Sequence, residues 1–211
     1  MQKNIYVNEK QVLKDIIPLE MPLVLSIEPS NLCNFKCAMC FHGNNEQDER
    51  AKPLANMTEE IFAKILQDIK SWTIAAQRKL KLIKLYSLGE PLINKGICDM
   101  LARIKAADVC EKVEITTNAS LLSEEVAKQL VDFQLDILRV SVYSVRDKRM
   151  KEVTRSNVMP ETIYNNVKAI RAYRDSVKSD KPIIYAKMLD ANNDENEEFV
   201  RKFGGWQTRL A

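Results

Sequence analysis

Glu28-Pro29-Ser30-Asn31-Leu32-Cys33-Asn34-Phe35-Lys36-Cys37-Ala38-Met39-Cys40 sets three cysteines in one short segment, spaced C-x3-C-x2-C. Three thiolates this close can grip a metal centre, yet they are one short of the four protein ligands usual for a [4Fe–4S] cluster. A position left to a non-protein ligand marks a reactive metal site rather than a structural one. The residues alone keep two rivals open. One is a zinc site that recruits His42, the only histidine, two residues after Cys40. The other is a dithiol at Cys37-Ala38-Met39-Cys40. Cys98 and Cys110 lie well apart, in or beside a helical stretch, and read as packing residues.

Immediately upstream, residues 23–28 read as a strand. Further apolar runs at 80–87, 112–117, 137–143 and 183–189 are rich in Ile, Val, Leu and Tyr. Several look apolar on both faces, as buried parallel strands do. Helical periodicity fills the gaps. Thr58-Glu59-Glu60 opens one helix, with Thr58 as N-cap and acids in the first turn. Residues 97–107 form a second, Ser123-Glu124-Glu125 caps a third, 162–177 a fourth, and 197–203 a short fifth stopped by Gly204-Gly205. Strand and helix alternate five times, the grammar of an α/β fold with a parallel sheet. Ligands of such folds sit beyond the carboxyl ends of the strands, the end from which the cysteines emerge. The polar loops 41–57 and 189–195 read as solvated surface.

Composition bounds the rest. The 211 residues carry 32 basic and 29 acidic side chains, for a net charge of +3, with 45% hydrophobic and 29% charged residues. That is ordinary for one globular domain and gives no electrostatic reason to expect nucleic acid or an anionic membrane as partner. No apolar run approaches the ~20 residues that span a bilayer. The first residues lack the apolar stretch of a secretory signal. A cytosolic location is expected, where clustered cysteines favour metal or redox chemistry over disulfides; the odd count of five cysteines points the same way.

The cysteine spacing and an ordered set of strand-end motifs together resemble the radical S-adenosylmethionine (radical SAM) superfamily over approximately residues 22–204. Ser87-Leu88-Gly89-Glu90-Pro91-Leu92 is similar to that family's Gly-Gly-Glu-Pro segment, with Leu88 in place of the first glycine. Thr116-Thr117-Asn118 ends the third strand, Ser141 sits on the fourth, and Arg155 follows fourteen residues later. The resemblance implies a partial (β/α) barrel, with Cys33, Cys37 and Cys40 holding a [4Fe–4S] cluster and S-adenosylmethionine (SAM) on the open iron. It implies reductive cleavage of SAM to a 5′-deoxyadenosyl radical that abstracts hydrogen from a peptide, sugar or other biosynthetic substrate. It assigns SAM contacts to Met39 (adenine), Gly89 (close backbone approach), Glu90 (the ammonium), Ser141 (carboxylate or ribose) and Arg155 (carboxylate), with Arg146, Lys148 and Arg149 as rivals to Arg155. A flavodoxin or ferredoxin is implied as electron donor.

The sequence also departs from that pattern. Only five of the family's six strand-helix units are visible, and the cysteine-rich C-terminal extension called SPASM is missing. Residues 1–21 read as a leader, 22–205 as the core and 206–211 as a tail, with the chain expected to be truncated or a short form. An unpaired fifth strand would leave an exposed edge, which makes homodimerisation there a candidate. A non-catalytic cluster- or SAM-binding subunit and a structural zinc protein are the alternative functions.

Overall fold

Alternate residues of the strands separate an apolar face from a polar one, and that separation sets the architecture. The computed structural model describes residues 12–15, 17–44, 53–204 and 207–210. Strands β1 (Val24–Ile27), β2 (Leu82–Leu85), β3 (Val113–Thr117), β4 (Ile137–Val142), β5 (Ile183–Met188) and β6 (Gln207–Leu210) form one sheet in the order β1-β2-β3-β4-β5-β6. Every neighbouring pair is parallel. Parallel neighbours need a long crossover. Helices supply it: α1 (Phe41–Asn44) and α2 (Glu59–Ala75) before β2, then a 3-10 turn (Pro91–Ile93) and α3 (Ile97–Ala107) before β3. α4 (Glu124–Asp132) precedes β4, α5 (Asp147–Thr154) and α6 (Pro160–Ser176) precede β5, and α7 (Glu195–Phe203) precedes β6.

The core lies between the helices and one face of the sheet. Ile83, Leu85, Ile115, Leu138, Val140 and Ala186 meet Phe62, Leu101, Ile104, Leu130, Val167 and Phe199 there, all of them fully buried. Each large apolar side chain so buried contributes about 1.5–3 kcal/mol, and this face decides which way the helices dock. Thr58 and Ser123 cap α2 and α4 as expected, accepting from the N–H groups of Ile61 at 3.3 Å and Val126 at 3.2 Å.

The structure departs from the sequence reading in four places. The sheet is not apolar on both faces: Lys84, Glu114, Arg139, Ser141, Tyr185 and Lys187 share the face away from the helical core. A sixth strand exists. β6 pairs in register with β5, Tyr185 opposite Gln207 through Met188 opposite Leu210, so residues 207–210 of the expected tail form a strand and β5 is not an edge. Four residues of mixed polarity carry too little periodicity to declare a strand. α5 was also hidden, because its only buried residues are Met150 and Thr154. Finally, α7 opens at Glu195, and that glutamate is fully buried rather than part of a solvated loop. Residues 1–11 and 16 of the expected leader and 45–52 of the expected loop lie outside the described residues, as does the side chain of His42.

At the amino ends of the strands, buried Asp136 accepts from the Val113 N–H at 2.8 Å, from Lys105 at 2.9 Å and from Lys181 at 2.6 Å. One carboxylate therefore ties the starts of β3, β4 and β5. Burial pushes its pKa up, but the two ammonium groups and the amide outweigh that, and it stays below the usual carboxylate value. Among the described residues no helix is long and apolar enough to cross a membrane.

Candidate cofactor site

The cysteine loop leaves β1 at the carboxyl end of the sheet and is gripped from several sides. Glu28, just past β1, accepts the N–H groups of Leu88 at 2.6 Å and Gly89 at 3.1 Å. In return the Glu90 N–H donates to the Leu32 carbonyl at 2.8 Å. Gly89 is wedged under the loop: a β-carbon there would run into the Ser30 carbonyl and stand 2.7 Å from Asn31 Cα and from the Leu32 carbonyl oxygen. Leu88, which replaces the family's first glycine, is half exposed and meets no such constraint.

Glu90 is the electrostatic centre of this end. Only 3% exposed, its carboxylate accepts from Thr117 Oγ1 at 2.6 Å, the Asn118 N–H at 2.8 Å and the Leu92 N–H at 3.1 Å. Burial raises its pKa, and those three donors oppose the rise. A carboxylate offers about four acceptor sites, so one remains for a further donor. Asn118 in turn donates to Asn34 Oδ1 at 2.9 Å, and Asn34 donates to Ser120 at 2.8 Å. The Thr116-Thr117-Asn118 segment singled out in the sequence thus holds both Glu90 and the cysteine loop.

The three thiols belong to one electrostatic unit. Burial pushes Cys37 up to about 11. The Tyr143 hydroxyl opposes this, while repulsion from Cys33 and Cys40 adds to it. Burial also raises Cys33, against the Phe35 N–H that its sulfur accepts at 3.4 Å. Among the described residues, no three Cys, His, Asp or Glu side chains are drawn to metal-ligand separations. The donor set nonetheless fits an iron–sulfur cluster: three thiols on one loop, within mutual charge range, in a half-buried setting where a cation would favour the thiolates. Cys98 and Cys110 are elsewhere. Cys98 is buried in α3, and Cys110 sits near Lys105 and Asp136 at the amino end of the sheet, so both are packing residues as expected.

The other expected SAM contacts spread around this loop. Met39 lies on the turn between Cys37 and Cys40 and is 50% exposed. Ser141 is half-buried on β4, on the polar face. Arg155 ends α5 in the left-handed region (φ 51°) and donates to the Gly43 carbonyl at 3.3 Å. Two rivals to Arg155 are engaged elsewhere: Arg146 pairs with Asp194 and Glu198, and Arg149 with Glu195. Arg155 is the arginine left beside the cysteines.

Sequence reasoning missed the device that seats the loop. The Lys36 N–H donates to the Thr154 carbonyl at 2.9 Å and the Ala38 N–H to the Val153 carbonyl at 2.8 Å, so the last turn of α5 holds the cysteines. α5 is held by Glu195, which accepts from Ser144 Oγ, from the Val145 N–H at 2.9 Å and from Arg149. Gly43 closes the other side, leaving only 2.8 Å between a β-carbon and the Cys37 nitrogen. Neither residue stood out in the sequence: Gly43 is one of five glycines, and Glu195 ends a polar loop that reads as solvated surface. Glu195→Ala is expected to destabilise the fold by about 3 kcal/mol, because it strands a buried hydroxyl, an amide and a guanidinium. Glu195→Gln keeps one acceptor and costs about half as much; urea unfolding of the two variants measures the difference. The donors around Glu195 outweigh its burial and lower its pKa. Its contribution is therefore complete above the unfolded value of about 4.3 and is lost only as pH falls below it.

Comparison with known proteins agrees with this geometry. The family model described as Radical SAM superfamily matches residues 27–203. The chain belongs to that superfamily. Radical SAM proteins bind a [4Fe–4S] cluster and SAM. The chain is 28% identical over 165 residues to the tungsten-containing aldehyde ferredoxin oxidoreductase cofactor-modifying protein of Pyrococcus furiosus, covering 78% of this chain and 43% of that one. It is 27% identical over 146 residues to the GTP 3′,8-cyclase of Clostridium perfringens, covering 69% and 42%. In fold it resembles Streptococcus suis SuiB bound to S-adenosylmethionine, with a TM-score of 0.67 at 21% identity over 90% of this chain and 40% of SuiB. The chain thus spans less than half the length of these relatives.

Proposed function

We propose that this chain is a radical SAM enzyme in which Cys33, Cys37 and Cys40 hold a [4Fe–4S] cluster and SAM binds at the iron they leave open. The observation that supports this best is the double tether between the cysteine loop and the Gly89-Glu90 turn, through the Leu32 carbonyl and Glu28. It brings a three-thiol donor set and a buried carboxylate with one spare acceptor site to the same end of the sheet. When bound, the cluster supplies one electron to the sulfonium of SAM, releasing methionine and a 5′-deoxyadenosyl radical that abstracts hydrogen from substrate.

The chain's own residues do the rest. Glu90 accepts a charge-assisted hydrogen bond from the SAM ammonium. Gly89 lets backbone approach the ligand. Arg155 offers its planar fork to the carboxylate, Ser141 its hydroxyl to carboxylate or ribose, and Met39 an apolar surface to the adenine. A flavodoxin- or ferredoxin-type protein delivers the electron.

Anaerobic reconstitution with iron and sulfide tests this. We expect about four irons per chain, a broad absorbance near ~400 nm, and release of 5′-deoxyadenosine once reductant and SAM are added. Zinc in anaerobically purified protein together with refusal of iron would overturn the reading. A loaded cluster that never releases 5′-deoxyadenosine would reduce it to a binding subunit.

A further inference from the structure

Three thiols and a buried carboxylate crowd one end of the sheet, and Tyr143 reaches into that crowd. It follows β4 directly, one residue past the register pair of Val142 with Met188. Its ring meets the Phe35 ring edge-on, with centroids 5.8 Å apart and planes at 64°. Phe35 lies between Cys33 and Cys37 and is 3% exposed, so the tyrosine packs on the cysteine loop itself. The residue after it is fixed as well: Ser144 is fully buried, and its hydroxyl is held by Glu195. Strand pairing before Tyr143 and the Glu195 bond after it hold the backbone that carries the ring.

The Tyr143 hydroxyl faces the Cys37 sulfur and works against the rise that burial imposes on that thiol. Burial pushes the hydroxyl's own pKa up, and Cys37, Cys33 and Glu90 add to the rise. The oxygen therefore keeps its proton and remains a donor. Backbone amides also serve these sulfurs, the Phe35 N–H reaching Cys33 at 3.4 Å, but almost any sequence on this loop would supply those. The phenol is a matter of side-chain choice, because phenylalanine would fill the same space without a donor. An electron added to an iron–sulfur cluster spreads negative charge onto the coordinating sulfurs. A donor aimed at one of them favours the reduced form and raises the potential, whereas a nearby negative charge lowers it. Glu90 lies within charge range of both Cys33 and Tyr143.

We propose that Tyr143 sets the reduction potential of the cluster: its hydroxyl donates a hydrogen bond to the Cys37 sulfur and makes the cluster easier to reduce, offsetting the buried carboxylate of Glu90. One electron enters from the flavodoxin- or ferredoxin-type donor, and Tyr143 keeps its proton throughout. Its effect runs through Cys37, which makes it a tuning residue rather than a catalytic one. The proposal rests on the cluster ligands assigned above.

Redox titration of the reconstituted full chain, without SAM and followed by electron paramagnetic resonance of the reduced cluster, tests it. Tyr143→Phe keeps the ring against Phe35 and removes the donor. We expect unchanged iron content and a tenfold smaller reduction constant, which for a one-electron couple is a potential about 59 mV more negative. Tyr173→Phe, whose hydroxyl bonds Asp132 at 2.9 Å between α6 and α4, should leave the potential where it was. After exchange into heavy water, electron–nuclear double resonance of the reduced wild-type cluster should show a coupled exchangeable hydrogen that Tyr143→Phe lacks. An unshifted potential in Tyr143→Phe, an equal shift in Tyr173→Phe, or identical exchangeable hydrogens in wild type and Tyr143→Phe overturns the proposal. Loss of iron in Tyr143→Phe also overturns it, since the tyrosine would then support the loop rather than tune the cluster. Wild-type protein that takes up no iron overturns the cofactor reading, and the role of Tyr143 with it.

Discussion

Cys37→Ala is expected to abolish cluster uptake while the protein still folds. Cys37 is the middle of the three thiols, 5% exposed, and close enough to both of the others to be repelled by them. Removing one sulfur leaves two ligands on the loop, too few for a cubane that already lacks a fourth protein ligand. The fold has far less at stake. Deleting one small buried atom leaves a small cavity and costs about 1 kcal/mol, and the loop keeps its backbone bonds to Val153, Thr154 and Glu90. Iron analysis and absorbance near ~400 nm should show the loss, with an unchanged far-ultraviolet circular dichroism spectrum. Iron retained at the wild-type level would show that Cys37 is not a ligand.

Gly89→Ala is the second large effect, and it separates cluster from cofactor. The added methyl would meet backbone atoms of Ser30, Asn31 and Leu32. Backbone cannot rotate aside as a side chain can, so the Gly89 turn and the cysteine loop must part. Overpacking of this kind costs typically 1–3 kcal/mol. The larger consequence is geometric, because Glu90 follows directly and its position relative to the cysteines changes. A misplacement of about 1 Å is enough to lower a rate by ~100-fold. We expect iron to be bound, since no ligand is removed, and 5′-deoxyadenosine release to fall by that order. Leu88→Gly, at an exposed position, should leave the rate unaltered. Equal losses in both variants would mean that the turn matters for stability rather than for placement.

How far the sequence could be read follows from the range of each signal. The cysteines, Glu90, Asn118 and the caps at Thr58 and Ser123 act through neighbours in sequence or through a motif, and each was visible. The helix-facing strand residues were visible as apolar runs. What stayed hidden depends on pairs distant in the chain. Glu195 reads as a surface acid until Ser144, Val145 and Arg149 are brought to it, some fifty positions upstream. Lys84, Glu114, Arg139 and Lys187 lie inside runs that read as apolar strands, and only the folded sheet sorts them onto one face. β6 was illegible since four residues borrow their regularity from β5. Family resemblance supplied the roles proposed for Met39, Ser141 and Arg155; nothing local in the residues did.

The grip of α5 on the cysteine loop bears on the order in which the molecule is built. The amides of Lys36 and Ala38 end on carbonyls of Thr154 and Val153, more than a hundred residues downstream. Until that later helix exists, the loop lacks two of its backbone anchors, and closing so long a separation is entropically expensive and slow. On a ribosome, the cysteines emerge well before the helix that seats them, and they acquire their final geometry only once α5 has docked.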